Sequence, residues 1–540
     1  VSVKAAVIHQ AAYRQVIINP EIGTDPSGDW TPVGAGWAIA GGALTATEAT
    51  GSIKQTVDPL TSGNPTKLFF VVTATLGKVV VLCGTTASAA KGAGTHNFDV
   101  TPNGAGFSFR PATAGEGGDA SGKFTGTVDS VHAVPLKVSF TKSGFGEPKA
   151  AIFILSKGYT DGTEEAGASF GMGLTDGTRQ YLAMGGSETG RSTTDTYRKM
   201  SNTTCAGYMK ETDGTIILAG AFSSWPTDGV EILWSTIDGY VAGAISQMTV
   251  VLFGGTDLSA RAGTFTSVVP PGDEDDSVTI SDVGFEAANL VVVSCGSATA
   301  FGTLGNGEKL SVGFVDNAGG GVVTHASLNM TSADAVGTTD LRNHVSTAYA
   351  VAMPQLSDPA VYISDFGVNG FKAWTPAFIG SCVCFYLALK YNSKASHWVG
   401  VVDSPSSASG NTSFTNPGFK PQCVIHCPSA VTEVDVDKIT DATGAGSFSI
   451  AAFDATASGS ADIHDKDAVA TTLTDNLVDA KPVKFYAGLG LANQWTATFV
   501  SFDATGWTLN YTTSLATARK WPTLVIGEGP VDFIPRVMMF

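Results

Sequence analysis

Two kinds of hydrophobic pattern alternate along this chain. From Ala43 to Val57 apolar and polar residues take turns, and the runs KLFFVVTA (Lys67 to Ala74), KVVVLCG (Lys78 to Gly84), HNFDV, GFSFRP and FTGTVDSVHAV follow, broken by Gly, Asn and Pro. Alternation with period two, punctuated by turn residues roughly every 8 to 12 positions, predicts the antiparallel strands of a sandwich. The second pattern is apolar throughout: AAIFILS (Ala150 to Ser156), NLVVVSC (Asn289 to Cys295) and QCVIHCP (Gln422 to Pro428). Each of these runs follows a Gly-Phe pair (Gly144-Phe145, Gly284-Phe285, Gly418-Phe419). Each is followed by a second strand-like run, GMGLTD, SVGFVD or SIAAFD, that closes on Asp176, Asp316 or Asp454.

From the Phe of each pair to the closing Asp the numbering advances by 31, 31 and 35, so three diverged copies of one unit fill most of the chain. Further landmarks recur in the same order. Paired threonines come first (Thr193-Thr194, Thr338-Thr339, Thr471-Thr472), the second of each pair lying 18, 23 and 18 residues after the Asp. A Gly-led turn follows (Gly229, Gly370, Gly506), and then an apolar closing strand (QMTVVLFGG, SCVCFYLALK, WPTLVIGEG). Repetition with several landmarks in one order identifies a repeated structural unit. The predicted architecture is all-β, built of tandem β-sandwich, jelly-roll-like domains. It comprises a leader at 1–18, a jelly roll at 19–134, sandwich repeats at 135–270, 271–403 and 404–527, and an apolar tail at 528–540 expected to dock on another subunit or domain. The stretches VVPPGDEDDS and VVDSPSSASG, rich in Pro, acid or Ser, read as linkers between repeats.

Composition narrows the functional classes. Of 540 residues 43% are hydrophobic, too many for a disordered chain, and only 15% are charged. A formal net charge of -17 without a Lys/Arg stripe excludes a phosphate-binding surface, so nucleic acid is not an expected partner. No apolar run reaches about 18 residues, so no membrane insertion is expected. The opening VSVKAAVIHQAAYRQV is interrupted by His9, Gln10 and Arg14 and does not read as a secretory signal. Seven cysteines, an odd and sparse set, point to buried free thiols and synthesis in a reducing cytoplasm.

Candidate chemistry is thin. The repeated Asp176, Asp316 and Asp454 could serve as general bases or calcium ligands. No second acid, His or Lys recurs with them, so a turn-capping role is the expectation. The paired threonines could meet a sugar, or simply favour a strand. The aromatics after the turn glycines, Phe371 and Trp507, are expected in the core. Eight scattered histidines, Cys382-x-Cys384, Cys423-x-x-x-Cys427 and the acidic run Asp273 to Asp276 lack the spacing of a metal site. No cofactor, metal or catalytic residue is expected. What varies between copies is the gap between the first apolar strand and the aspartate (TEEAGA, AFGTLGNGEK, TEVDVDKITDATGAG), and any specificity is expected there.

Two resemblances add a functional expectation. The Asn19-Pro20 start, Trp30 and Trp37, GGALTAT and FTGTVDSVHAV resemble the small jelly rolls of carbohydrate-binding-module type found in tailed-phage structural proteins. SGFGEPKAAIF and NPGFKPQCVI resemble the tandem GF-x-P units of tailed-phage tail- and fibre-associated proteins, whereas the second copy departs with Ala287-Ala288 near the proline position. The resemblance implies a non-catalytic virion protein, made in the host cytoplasm, in a fibre, spike or tail appendage that contacts the host surface. Its implied partners are other virion proteins and copies of itself, as a homotrimer or ring, with host surface polysaccharide as a candidate receptor. Trp30 and Trp37 are its candidate ligand-contact positions. A capsid-decorating or tail-tube-associated protein and a secreted glycan-binding or glycan-cleaving protein are the alternatives.

Overall fold

The structure, a computed structural model, describes residues 3–527 except for 18–29, 56–63, 238–245, 268–276, 333–341, 353–359, 487–493 and a number of shorter stretches. The regular secondary structure of the described residues is almost entirely antiparallel strand, as the sequence predicts, with one helical turn at Ala114–Glu116. Among the described residues two compact units emerge, one within Ala12–Val138 and one made of the rest.

The smaller unit is a two-sheet sandwich. One sheet orders Gly94–Val100, Thr66–Leu76, Phe124–Pro135, Ala43–Ala49 and Trp37–Ala40, with Val16–Ile17 also on Phe124–Pro135; the other orders Trp30–Val33, Ser52–Gln55, Phe107–Pro111, Val79–Cys83 and Thr86–Ala87. Numbered along the chain, the eight strands from Ala43–Ala49 onward pair in the order of a jelly roll. The period-two pattern survives in three dimensions: in Phe107–Pro111 the residues Phe107, Phe109 and Pro111 point inward while Ser108 and Arg110 do not. Phe109 packs edge-on against both Phe70 (5.5 Å) and Phe107 (5.4 Å).

The larger unit holds the three repeats, each a sandwich of one large and one small sheet. In the first repeat the large sheet runs Lys4–Ala11, Gln247–Gly254, Pro148–Ser156, Ala168–Thr175, Gln180–Ser187, Thr196–Ser201, and the small sheet Lys137–Thr141, Gly229–Ile237, Ile216–Ser224, Ala206–Met209. The second repeat reproduces this order from Leu258–Thr266 to Arg342–Ser346, and the third from Ser396–Asp403 to Leu473–Asp479.

This order corrects the predicted boundaries. The 1–18 leader is no leader over Lys4–Ala11, which pairs residue for residue with Gln247–Gly254 as the edge strand of the first repeat. Leu258–Thr266, assigned to the repeat at 135–270, pairs with Val383–Tyr391 in the second repeat, and Ser396–Asp403, assigned to 271–403, pairs with Lys520–Gly527 in the third. Turn-forming, polar composition misled here because it marks the loop between the first and second strands of a repeat, not the boundary between repeats. In the first repeat that same loop position holds the whole jelly roll, so the jelly roll is an insertion within a repeat. The tail at 528–540 lies outside the described residues.

The three large sheets face one another around a common core. In the second repeat Val291 and Val293 enter that core, while the intervening Leu290 and Val292 enter the sandwich of their own repeat; Ile425 and Val424 divide in the same way in the third. A strand buried on both faces has no polar side to show, which is why these runs read as continuously apolar. Phe170 of the first repeat meets Phe448 of the third edge-on at 5.3 Å, and Tyr181 of the first stacks on Phe385 of the second at 5.8 Å.

A ring of strand exchange closes the body. Glu164–Ala166 of the first repeat extends the large sheet of the third, Lys438–Ile439 of the third extends that of the second, and Gly305–Asn306 of the second extends that of the first. Each donated strand covers a sheet edge that would otherwise present unpaired backbone groups. These strands lie in the variable gaps to which specificity had been assigned; in the structure those gaps tie repeat to repeat.

Candidate functional site

The repeated aspartates stand where one repeat meets the next. Asp454 ends the strand Ala445–Asp454, and its Oδ1 accepts hydrogen bonds from the backbone N–H of Thr456 (2.7 Å) and Ala457 (2.8 Å), a local turn. Its Oδ2 crosses to the first repeat, accepting from the Val7 N–H at 2.7 Å and from Lys142 Nζ at 2.7 Å. Asp176 repeats the arrangement: Oδ1 accepts from the N–H of Thr178 and Arg179, and Oδ2 from the Ala262 N–H of the second repeat at 3.0 Å. Val7 and Ala262 are equivalent, since their partners Val251 and Leu387 in turn face Ile152 and Val291. Asp316 reaches the first strand of the third repeat through His397, whose Nδ1 lies 2.9 Å from Oδ1, and also accepts from Asn289 Nδ2 at 3.1 Å.

The turn-capping expectation is therefore joined by a second role that one sequence position could not reveal. Each carboxylate fastens its own hairpin with one oxygen or a neighbouring amide, and grips the first strand of the next repeat. The basic side chains beside them differ (Lys142, Arg261, His397), so the stations share a carboxylate and a place but no common partner residue. A second crossing reverses the charges: Asp282, which follows Val278–Ile280 as Lys142 follows Lys137–Thr141, pairs with Arg179 of the first repeat and accepts from Tyr386 OH at 3.0 Å. Asp454 is 5% exposed, so Asp454→Ala strands the Val7 N–H beside a void and takes the carboxylate from the Lys142 ammonium, leaving it the Val7 carbonyl and the Thr456 hydroxyl. The expected cost is about 2–3 kcal/mol, at the low side for a broken buried pair because Lys142 keeps some solvent; chemical denaturation of the variant reads it directly.

The other sequence candidates scatter. Trp37 is buried, stacks on Phe124 at 5.8 Å and donates its indole N–H to the Gly51 carbonyl at 2.9 Å. It is core, which removes it as a ligand contact on an exposed face. Trp30 lies on a strand paired with Ser52–Gln55, but its side chain lies outside the described residues, as do all three threonine pairs and the acidic run at 273–276. Phe371 and Trp507 are buried as expected, because each follows a glycine (Gly370, Gly506) on whose face a Cβ would sit 1.7 Å from a carbonyl oxygen of the neighbouring strand. All seven cysteines are free and buried, and burial pushes the Cys205 and Cys427 thiols up. Among the described residues no group of His, Cys, Asp and Glu is placed to hold a metal ion, and no helix is long and apolar enough to cross a membrane.

Sequence reasoning missed one polar cluster. Inside the third sandwich Asp462 and His464 are fully buried, with Nδ1 and Oδ2 3.4 Å apart, and Asp475 Oδ2 lies 3.7 Å from Nε2. Ser447 faces His464 and Ser449 faces Asp462 across the strand pair. Their alternation with Phe448, Ile450, Ala461 and Ile463 was the available signal, but a polar face normally points to water. Here the apolar face enters the common core and the polar face enters the sandwich. The second repeat places Asn329 at the Asp462 position and closes a neutral network: Ser311 Oγ donates to Asn329 Oδ1 (2.5 Å), which also accepts from the Ala352 N–H (2.9 Å), while Nδ2 donates to Ser327 Oγ (3.1 Å). Enclosure within a packed sandwich gives these groups an architectural setting.

Comparison of the chain with protein-family models, curated proteins and solved structures gives no match.

Proposed function

We propose that this chain is a non-catalytic structural protein of a tailed-phage virion, placed in a fibre, spike or tail appendage that contacts the host surface. The observation that carries the reading is the closed strand exchange among three fused sandwiches: it makes a stiff body from one chain, with loops and an inserted jelly roll left for contact. Interdependent repeats suit a part that must transmit load without separating. The repeated aspartates support this reading because they serve as fasteners between repeats. The sequence resemblance of the GF-x-P units and of the jelly roll supplies the virion context. Partners on this reading are other virion proteins. Self-association into a trimer or ring is a further part of it, although each chain already carries three sandwiches in a ring.

Antibody raised against the purified protein, applied to intact particles of the phage that encodes it and viewed by electron microscopy, tests the placement. Label on the tail or its appendages is the expected result. Label on the capsid would replace this reading with the decorating role, and particles that never take up label would end both.

A further inference from the structure

The small sheet of the second repeat carries a cross-strand aromatic pair at a position where its counterparts have none. Tyr362, on Ala360–Gly367, lies opposite Trp374, at the end of Gly370–Trp374, with ring centroids 5.4 Å apart. Their chain neighbours Val361, Ile363, Phe371 and Ala373 are buried in the core of the second sandwich, so Tyr362 and Trp374 belong to the other face and are half-buried. Counting from the glycine that opens each strand, the equivalent pairs are Ala221 opposite Leu233 in the first repeat and Thr498 opposite Asn510 in the third. Scaffold does not require the aromatics, since two of three copies fold the same strands without them.

Tyr362 is held from behind. The buried His325 ring sits 4.8 Å from it, and His325 Nε2 donates to the Ile363 carbonyl at 3.0 Å. Between this aromatic wall and the residues Asn317, Gly321 and Val323 lies a cleft of about 410 Å³. That volume is within the range of about 300–1,000 Å³ usual for small-molecule sites. Its polar groups include the Glu286 carboxylate, Asn317, Ser277, Ser364 and the Asp365 carboxylate at the rim. Asn317 Nδ2 donates to Glu286 Oε1 at 3.3 Å and to the Ala287 carbonyl at 3.2 Å, which fixes the direction of the carboxylate. Asp365, in the left-handed region at φ 48°, is paired with Lys372 at 2.8 Å.

We infer that this cleft binds a short neutral saccharide, with a pyranose ring laid against Tyr362 and Trp374. Aromatic rings offer an apolar face to the C–H side of a sugar, and carboxylates, an amide and a hydroxyl at the margin match its hydroxyl groups. The exposed Glu286 carboxylate, in a chain of net charge -17, disfavours uronic, sialic and phosphorylated sugars, while Asp365 is already paired with Lys372; this selects neutral hexoses and N-acetylhexosamines. An extended apolar ligand is a poor match for a wall with this much oxygen. The inference gives the host-contact reading its ligand and rests on that reading only for the source of the sugar.

The test is calorimetric titration of the full chain with oligosaccharides of glucose, galactose and N-acetylglucosamine, with sialyllactose and oligogalacturonate as acidic comparisons. At least one neutral oligosaccharide is expected to bind, and Trp374→Ala to weaken it about tenfold or more. Glu286→Gln, an exposed and isosteric change that leaves folding intact, should weaken the same ligand severalfold, and Leu233→Ala in the first repeat should leave it unchanged. The inference is overturned if none of the neutral sugars binds, if an acidic sugar binds better, or if Trp374→Ala and Glu286→Gln both leave binding as it was. These outcomes are separate from the virion reading: labelled particles locate the chain whether or not it binds sugar, and titration reads the cleft wherever the chain resides.

Discussion

Deleting residues 1–11 is expected to unfold the three-repeat body, whereas excising 12–136 is expected to leave it folded. Lys4–Ala11 pairs along its whole length with Gln247–Gly254, and Val3, Ala5 and Val7 enter the core shared by all three repeats. Each buried Val or Ile side chain is worth about 1.5–3 kcal/mol, so losing Val3, Val7 and Ile8 removes roughly 5–9 kcal/mol before the ladder is counted. A domain's whole margin is about 5–15 kcal/mol. The deletion also removes the Val7 N–H from Asp454, leaving a buried carboxylate with Lys142 alone on that side. The jelly roll, in contrast, has its own core, and the chain returns close to where it left: Gln10 Nε2 reaches the Ser139 carbonyl at 3.3 Å. A short Gly-Ser bridge should therefore close the gap. Soluble yield and the thermal midpoint, followed by circular dichroism for the two deletions side by side, check the contrast.

Acid should weaken the larger unit over a defined window. Burial lowers the pKa of His325 and of His426 to about 4. His426 Nε2 donates to the Pro482 carbonyl at 2.6 Å, and its ring packs edge-on against Phe453 (5.4 Å) and Trp521 (5.5 Å), so the imidazole is held neutral among apolar rings. In the unfolded chain both histidines take a proton below about pH 6.5; in the native chain they take it only below about pH 4. The unfolded state thus binds more protons between those limits, and stability falls as the pH drops from about 6.5 to about 4, then levels for these two groups. Each contributes up to about 3 kcal/mol across the window. Thermal midpoints from pH 8 to pH 4 should show the drop, and a His325→Gln, His426→Gln chain should lose midpoint at pH 8 but show a flatter profile. An equally steep profile in the double variant would remove the histidines as its cause.

The sequence disclosed what recurs and concealed what connects. The Gly-Phe pair, the doubly buried strand, the closing aspartate and the Gly-led turn were legible because the same packing demands are met three times. The first strands were not. Lys4–Ala11, Leu258–Thr266 and Ser396–Asp403 share no motif, since an edge strand needs only β-compatible residues and a buried face, and many sequences supply that. The donated strands were more deeply hidden, at two or three residues each inside gaps that differ in length. Nothing local states which sheet such a piece will join. The same limit applied to the sites: the local half of each aspartate station followed from turn chemistry, but the crossing half needed the register of a strand more than 80 residues away. The cleft at Tyr362 and Trp374 was not legible in the sequence because the motif that recurs is the buried aromatic after the glycine, three residues before the half-buried Trp374.

Hydrogen exchange under mild denaturant, read at Pro148–Ser156, Asn289–Ser294 and Pro421–His426, tests the closed ring most directly. If the three repeats are fused through one core and three exchanged strands, the slowest amides of all three strands open together, with one free energy and one denaturant dependence. Three distinct opening free energies, or one repeat exchanging freely while the others stay protected, would contradict the account.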